Sequence, residues 1–345
     1  MEHSYRSHFK WGWGSGWYNS PQPEVDYRVS IGSCVSGHGI FRDETIRAAT
    51  LLAHQFSKPT LVALSGGLDS QVVCLSFKEI GYEFRPLILE AYSESGTLYN
   101  SADVEAALEF SKRHKLPEPI VESLNVDKFW QTRAIELSKE HCLSNVETSV
   151  QLYLIEKFGK DYSYVMGGGD LVITKNPYWL NKTSPAGNLD PLIHVQAPTP
   201  IQQHLIKYQY EGCTKFFMYT PELIAAYLNN PMMKLFIQAE RAIFESFRNA
   251  KGMTPDRWWW CFNLYVKPLF YIDAWPEISQ RAKKTGFELA FEQILKTKNE
   301  MLKVNAHLNP LRKRVVIEVP DLIDHLLRGR GSSKIWTNNA DKSFI

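Results

Sequence analysis

The hydrophobic pattern changes period once, sharply, between Thr60 and Ile80. Leu61, Val62, Ala63 and Leu64 form a short continuous apolar run, as in a strand buried on both faces. Leu68, Val72, Val73, Leu75 and Phe77 then recur at helical spacing, so a strand passes into a helix across Gly66 and Gly67. Further along, residues 84–89, 120–124 and 162–166 read as strands, and residues 43–55 and 102–114 as amphipathic helices. Strands alternating with helices predict an α/β fold with a doubly wound parallel sheet, whose ligands lie beyond the carboxyl ends of its strands.

After residue 181 the texture becomes proline-containing and aromatic. A long loop is expected over 181–200, either a lid or an excursion between subdomains, followed by helices at 221–228, 234–248, 287–303 and 320–327. The predicted layout is therefore an aromatic N-terminal arm packed on the core (1–45), an α/β domain (46–180) and a loop with a mainly helical C-terminal region (181–345). Within the arm, residues 28–35 read as a strand, and Trp11, Trp13 and Trp17 are open to two readings, packing on the core or stacking on bases or sugars.

The strand-to-helix junction carries the chemistry. Ser65, Ser70, the flexible Gly66 and Gly67 and the first free amides of the helix offer donors to an anion. Asp69 is the odd member, because a carboxylate beside a phosphate is repulsive unless a cation lies between them, which points to a magnesium-bound polyphosphate. Neither GxxxxGK[ST] nor GxGxxG after a predicted strand occurs in the chain.

Ser65-Gly-Gly-Leu-Asp-Ser70 resembles the SGGxDS signature of the PP-loop (N-type) ATP pyrophosphatases, an adenine nucleotide alpha hydrolase-like family that includes asparagine synthetase, GMP synthetase, NAD synthetase and several tRNA-modifying enzymes. Val165-Met-Gly-Gly-Gly-Asp-Leu171 is most similar to the SGxGxDE loop of the asparagine synthetase and β-lactam synthetase branch, and the helical run before it to that branch's preceding helix. The loop here is shorter, with Gly168 where the family often has a glutamate and Leu171 in place of the final acid. Read from the residues alone, a tight turn is the alternative account of the triple glycine.

The resemblance implies ATP and magnesium as cofactors. Ser65, Gly66, Gly67 and Ser70 would bind the β and γ phosphates, and Asp69 and Asp170 would hold the metal. Main chain at Ala63, Leu64 and Leu89 would meet adenine, with Gly167 and Gly168 near the ribose or adenine. A lysine from the helical region reaches the phosphates in that branch; Lys267 is the candidate, with Arg281 and Lys284 behind it, although Arg281, Lys283 and Lys284 also read as a solvated basic face. The implied reaction adenylates a carboxylate or carbonyl oxygen and passes it to an amine or ammonia. Modification of a nucleobase or tRNA is the alternative, and a non-catalytic nucleotide-binding module a third reading.

The remaining features narrow the partners. With 345 residues, 44% apolar, 22% charged and a net charge of +2, the chain has an ordinary globular composition and no strong field for nucleic acid or membrane. A small-molecule substrate is favoured over nucleic acid, although the basic glycine-rich stretch 328–334 could touch one. No apolar run approaches the ~20 residues of a membrane span, and the polar start lacks a signal peptide's core, so a cytoplasmic location is expected. Five dispersed cysteines form no CxxC pair, leaving a lone thiol such as Cys142 or Cys213 as the remaining thiol chemistry. No glutaminase domain is expected before residue 65, so ammonia or an amine would come from solution or a separate partner.

Overall fold

The computed structural model describes residues 9–13, 15–16, 27–31, 34, 38–141, 147–168, 171–174, 192–195, 200–232, 266–279, 315–318 and 335–338. In chain order the elements are β1 (Phe9–Trp13), β2 (Tyr27–Ile31), α1 (Phe41–Gln55), β3 (Thr60–Ala63), α2 (Leu68–Glu79), β4 (Phe84–Tyr92), α3 (Ser101–Arg113), β5 (Ile120–Asn125), α4 (Val126–Gln131), α5 (Arg133–His141), α6 (Glu147–Phe158), β6 (Ser163–Val165), β7 (Leu171–Thr174), β8 (Leu192–Val195), α7 (Pro200–Tyr208), β9 (Gly212–Cys213), α8 (Pro221–Asn229), α9 (Lys267–Ala274), β10 (Val315–Glu318) and β11 (Ile335–Asn338).

The central sheet has the order β5-β4-β3-β6-β9, and every pair in it is parallel. Successive strand residues point to opposite faces, which is why its strands read as unbroken apolar runs. Val62, Ile88 and Val165 join an apolar cluster with α1, α2, α3, α8 and α9, whereas Leu61, Leu87 and Tyr164 join a second with α4 to α7. The sheet is therefore doubly wound. From β3 the chain moves outward through β4 to β5 and then crosses back to β6 on the far side of β3. The loops after β3 and β6 thus flank the point where strand order reverses, the place where such sheets form a crevice.

Three differences from the sequence reading stand out. The fifth strand, β9, comes from beyond residue 180 and is two residues long, too short to leave a periodic signal. In the N-terminal segment the strand expected at 28–35 is present as β2, and it pairs antiparallel with β1, which was not expected, and joins a four-stranded sheet through the parallel pair β2-β10 and the antiparallel pair β10-β11. The loop expected over 181–200 contains β8, paired antiparallel with β7. The helices expected at 234–248, 287–303 and 320–327 lie outside the described residues. Among the described residues no helix is long and apolar enough to cross a membrane.

A buried polar pair sits between α5 and α7. His141 Nε2 and His204 Nδ1 lie 3.0 Å apart, and both rings are buried. Burial holds both imidazoles at about 4, below their usual range, with mutual repulsion adding to the effect at His141. An unfolded chain would therefore take up protons between pH 6.5 and pH 4 that the folded chain refuses, so stability is full above this window and falls as pH drops through it. We expect a loss of about 3 kcal/mol in urea unfolding between pH 7 and pH 4.5. A flat profile across that range would mean that water reaches the pair.

Candidate functional site

The loop from Ser65 to Ser70 is laced together by its own hydroxyls. Ser65 N–H donates to Ser70 Oγ at 3.2 Å, and Ser70 Oγ donates to the Gly67 carbonyl at 2.8 Å. Ser70 is buried and Ser65 exposed, so Ser70 acts chiefly as the crosslink and Ser65 as the outward-facing hydroxyl. No side chain caps the start of α2 at Gly67, which leaves the first helical amides and the positive end of the dipole facing outward.

The two glycines do different work. Gly66 has φ +72, and a Cβ there would stand 2.9 Å from the Asp103 carbonyl on α3, so its smallness serves turn and packing. A Cβ on Gly67 would meet nothing nearer than Ser65 Oγ at 3.4 Å, so this is the side from which a ligand can approach the main chain.

Asp69 and Lys267, 198 positions apart, meet directly: Lys267 Nζ donates to Asp69 Oδ2 at 2.6 Å. Lys267 is the first residue of α9 and is 5% exposed, its ammonium also lying 5.3 Å from the Tyr271 ring centre. Of the other cations considered, Arg281 and Lys284 lie outside the described residues.

Gly167 and Gly168 play a part the sequence did not suggest. A Cβ on Gly167 would lie 2.7 Å from the Asp69 carbonyl carbon and 2.9 Å from Ser70 N, and one on Gly168 would lie 2.6 Å from the Thr214 carbonyl oxygen. The strand end after β6 is therefore packed directly on the start of α2 and on the residues after β9. A side chain at Gly168 would require the backbone at Thr214 to shift. Asp170 lies outside the described residues.

At the end of β4 the Asn100 carboxamide imitates a neighbouring strand: Nδ2 donates to the Leu89 carbonyl at 2.7 Å, and Oδ1 accepts from Ala91 N–H at 2.8 Å. The Leu89 carbonyl is thus already engaged. Ala63 ends β3 beside it, and the next residue, Leu64, donates its N–H to the Leu87 carbonyl. Asn100 was invisible to sequence reasoning, its only signal being its place just before a predicted helix. Asn100→Ala should cost about 2 kcal/mol in urea unfolding, since two buried main-chain groups lose their partners. A change below 0.5 kcal/mol would mean that water replaces the amide.

Cys213 does not suit nucleophilic chemistry, because burial pushes its thiol up to about 12; Cys142 lies outside the described residues.

No family model and no curated protein matches the chain. Among solved structures it is similar to a predicted subunit of a tRNA methyltransferase from Methanocaldococcus jannaschii, at 17% identity over 46% of this chain and 66% of that one, with a TM-score of 0.27. It is also similar to NAD+ synthetase from Burkholderia pseudomallei, at 15% identity over 38% and 64% of the two chains and a TM-score of 0.26. The third is NH3-dependent NAD synthetase from Campylobacter jejuni, at 14% identity over 68% and 96%, with a TM-score of 0.28. The matches span slightly less than two thirds of the first two proteins. Likeness at this level carries no functional weight, so function has to be read from the site's own residues.

Proposed function

We propose that the chain is an ATP pyrophosphatase of the PP-loop type and forms AMP in a ligase reaction similar to that of asparagine synthetase. The observation that carries this reading is the Asp69–Lys267 pair at the uncapped start of α2. It brings a cation and a carboxylate together at the first turn of α2, beside Gly67, where an added Cβ would meet only Ser65 Oγ at 3.4 Å, and such a set suits a polyphosphate. A substrate carboxylate oxygen attacks the α phosphorus, the bond from that phosphorus to the bridging oxygen breaks, and pyrophosphate leaves with the electron pair. An amine or ammonia then attacks the carbonyl carbon, AMP departs, and a proton is lost from nitrogen.

In this scheme Ser65, Gly66, Gly67 and the α2 amides orient the β and γ phosphates, and Lys267 opposes the charge that builds on pyrophosphate. Ser70 holds the loop closed. Adenine lies along main chain at Ala63, Leu64 and Leu89, where Asn100 already holds the Leu89 carbonyl. Gly167 and Gly168 set the wall of the crevice.

Among the described residues no three His, Cys, Asp or Glu side chains are arranged to hold a metal alone. Asp69 nonetheless fits magnesium, which takes one or two carboxylates and completes its shell with phosphate and water oxygens; Asp170 is proposed as the second. Bound there, the ion would supply charge neutralisation at the leaving phosphates. A carboxylate metabolite as substrate, a separate amine donor and a cytoplasmic setting belong to the same proposal.

The test is the nucleotide product formed from α-labelled ATP with magnesium, ammonium and pooled carboxylate metabolites, using Asp69→Ala as control. AMP that depends on Asp69 and on the pool is expected. ADP would sink the assignment. AMP formation that responds to added RNA would move the acceptor to a nucleobase, and tight nucleotide binding without turnover would indicate a sensor.

A further inference from the structure

Gln71 follows the phosphate loop by one residue and is 1% exposed. Its Nε2 donates to the Gly66 carbonyl at 2.8 Å and to the Ser279 carbonyl at 2.9 Å, while Oε1 accepts from Ser279 N–H at 2.9 Å. Both donor hydrogens are in use, and the amide grips the N–H and C=O of one distant residue as a strand grips its neighbour. Ser279 lies just beyond α9, the helix that begins with Lys267. Further contacts hold the same stretch: Arg113 Nη1 donates to Ser279 Oγ at 3.3 Å, and Arg42 reaches Glu277 at 3.2 Å while lying 4.0 Å over the Trp275 ring.

We infer that Gln71 is a positioning residue that moors the lysine-bearing segment to the phosphate loop, fixing Lys267 against Asp69 and the Gly66 turn in a single geometry. Gly66 sits at φ +72, so its carbonyl direction is set by a turn that Gln71 then locks from the far side. Without the carboxamide, three main-chain groups lose their partner, and the segment carrying Lys267 loses its direct tie to the loop, so that Lys267 is held less closely against Asp69. The role rests on the nucleotide reading above only in its effect on ligands; the mooring itself does not.

The test uses the full chain and the variants Gln71→Leu, Gln71→Glu and Lys267→Met. Hydrogen exchange at the Ser279 amide in the nucleotide-free protein should quicken by about tenfold or more in Gln71→Leu. The affinity for α,β-methylene-ATP with magnesium should fall by about tenfold while that for AMP stays within about twofold, since only the longer ligand reaches the moored cation. In a Lys267→Met background the same change should add less than about twofold. Unchanged exchange, equal weakening of both ligands, or full additivity with Lys267→Met would overturn the inference. Should Gln71→Leu fail to fold, Gln71→Glu keeps the volume and sets a carboxylate against two carbonyl oxygens, and the same pattern is expected. A native chain that binds neither ligand removes the nucleotide reading, with the exchange at Ser279 still deciding the mooring.

Discussion

Lys267→Met should lower the rate of AMP formation from α-labelled ATP by about 10²- to 10³-fold, the loss expected when a preorganised charge is removed from a developing anion. Methionine keeps most of the stem's volume, so the side chain's packing beside Tyr271, one turn along the same helix, is preserved and the defect is mainly electrostatic. Asp69 side chain remains 27% exposed, and water can solvate the carboxylate that loses its partner. The stability cost should therefore stay near 1 kcal/mol, well short of the penalty for a fully buried broken pair. Single-turnover measurement on saturated enzyme separates the two effects. A variant that turns over normally would show that Lys267 serves the fold alone.

Gly167→Ala should be the most destabilising of the small substitutions at the site, by about 3 kcal/mol or more, because its added methyl would meet backbone at 2.7 Å and backbone cannot rotate away. The expected readout is a lowered urea midpoint together with weakened nucleotide binding, since the atoms displaced belong to Asp69 and Ser70. Gly168→Glu, which would restore the residue common at that place in the asparagine synthetase branch, should be worse still, the Thr214 carbonyl lying 2.6 Å from its Cβ. If Gly168→Glu were tolerated with unchanged midpoint, the strand end after β6 would have to be built more loosely than described.

The central strands were legible because each is a short apolar run bounded by turn residues, and burial on both faces of a parallel sheet requires little else. The hairpin β1-β2 was not, since its aromatic alternation serves either a strand or a packed arm, and the choice is made by β10, far along the chain. The site divides in the same manner. Ser65 to Ser70 declares itself through local chemistry, whereas Lys267 is nominated through the family resemblance, in which a lysine of the helical region reaches the phosphates. Gln71 and Asn100 could not be nominated, because a carboxamide in a sequence carries no mark of the main-chain groups it will meet. Gly167 and Gly168 suggested an opening for ligand, whereas their lack of side chains is required by contact with other backbone.

The Asp69–Lys267 contact also orders events during synthesis. A chain emerging from the ribosome can complete its five-stranded sheet once Cys213 is free, and the phosphate loop then exists with a carboxylate and no counter-charge. The lysine arrives only after some further stretch has been translated, and the strand that pairs with β2 later again. Nascent chains arrested between those points would carry Asp69 without Lys267, so under the proposed function the full phosphate site is acquired only late in synthesis.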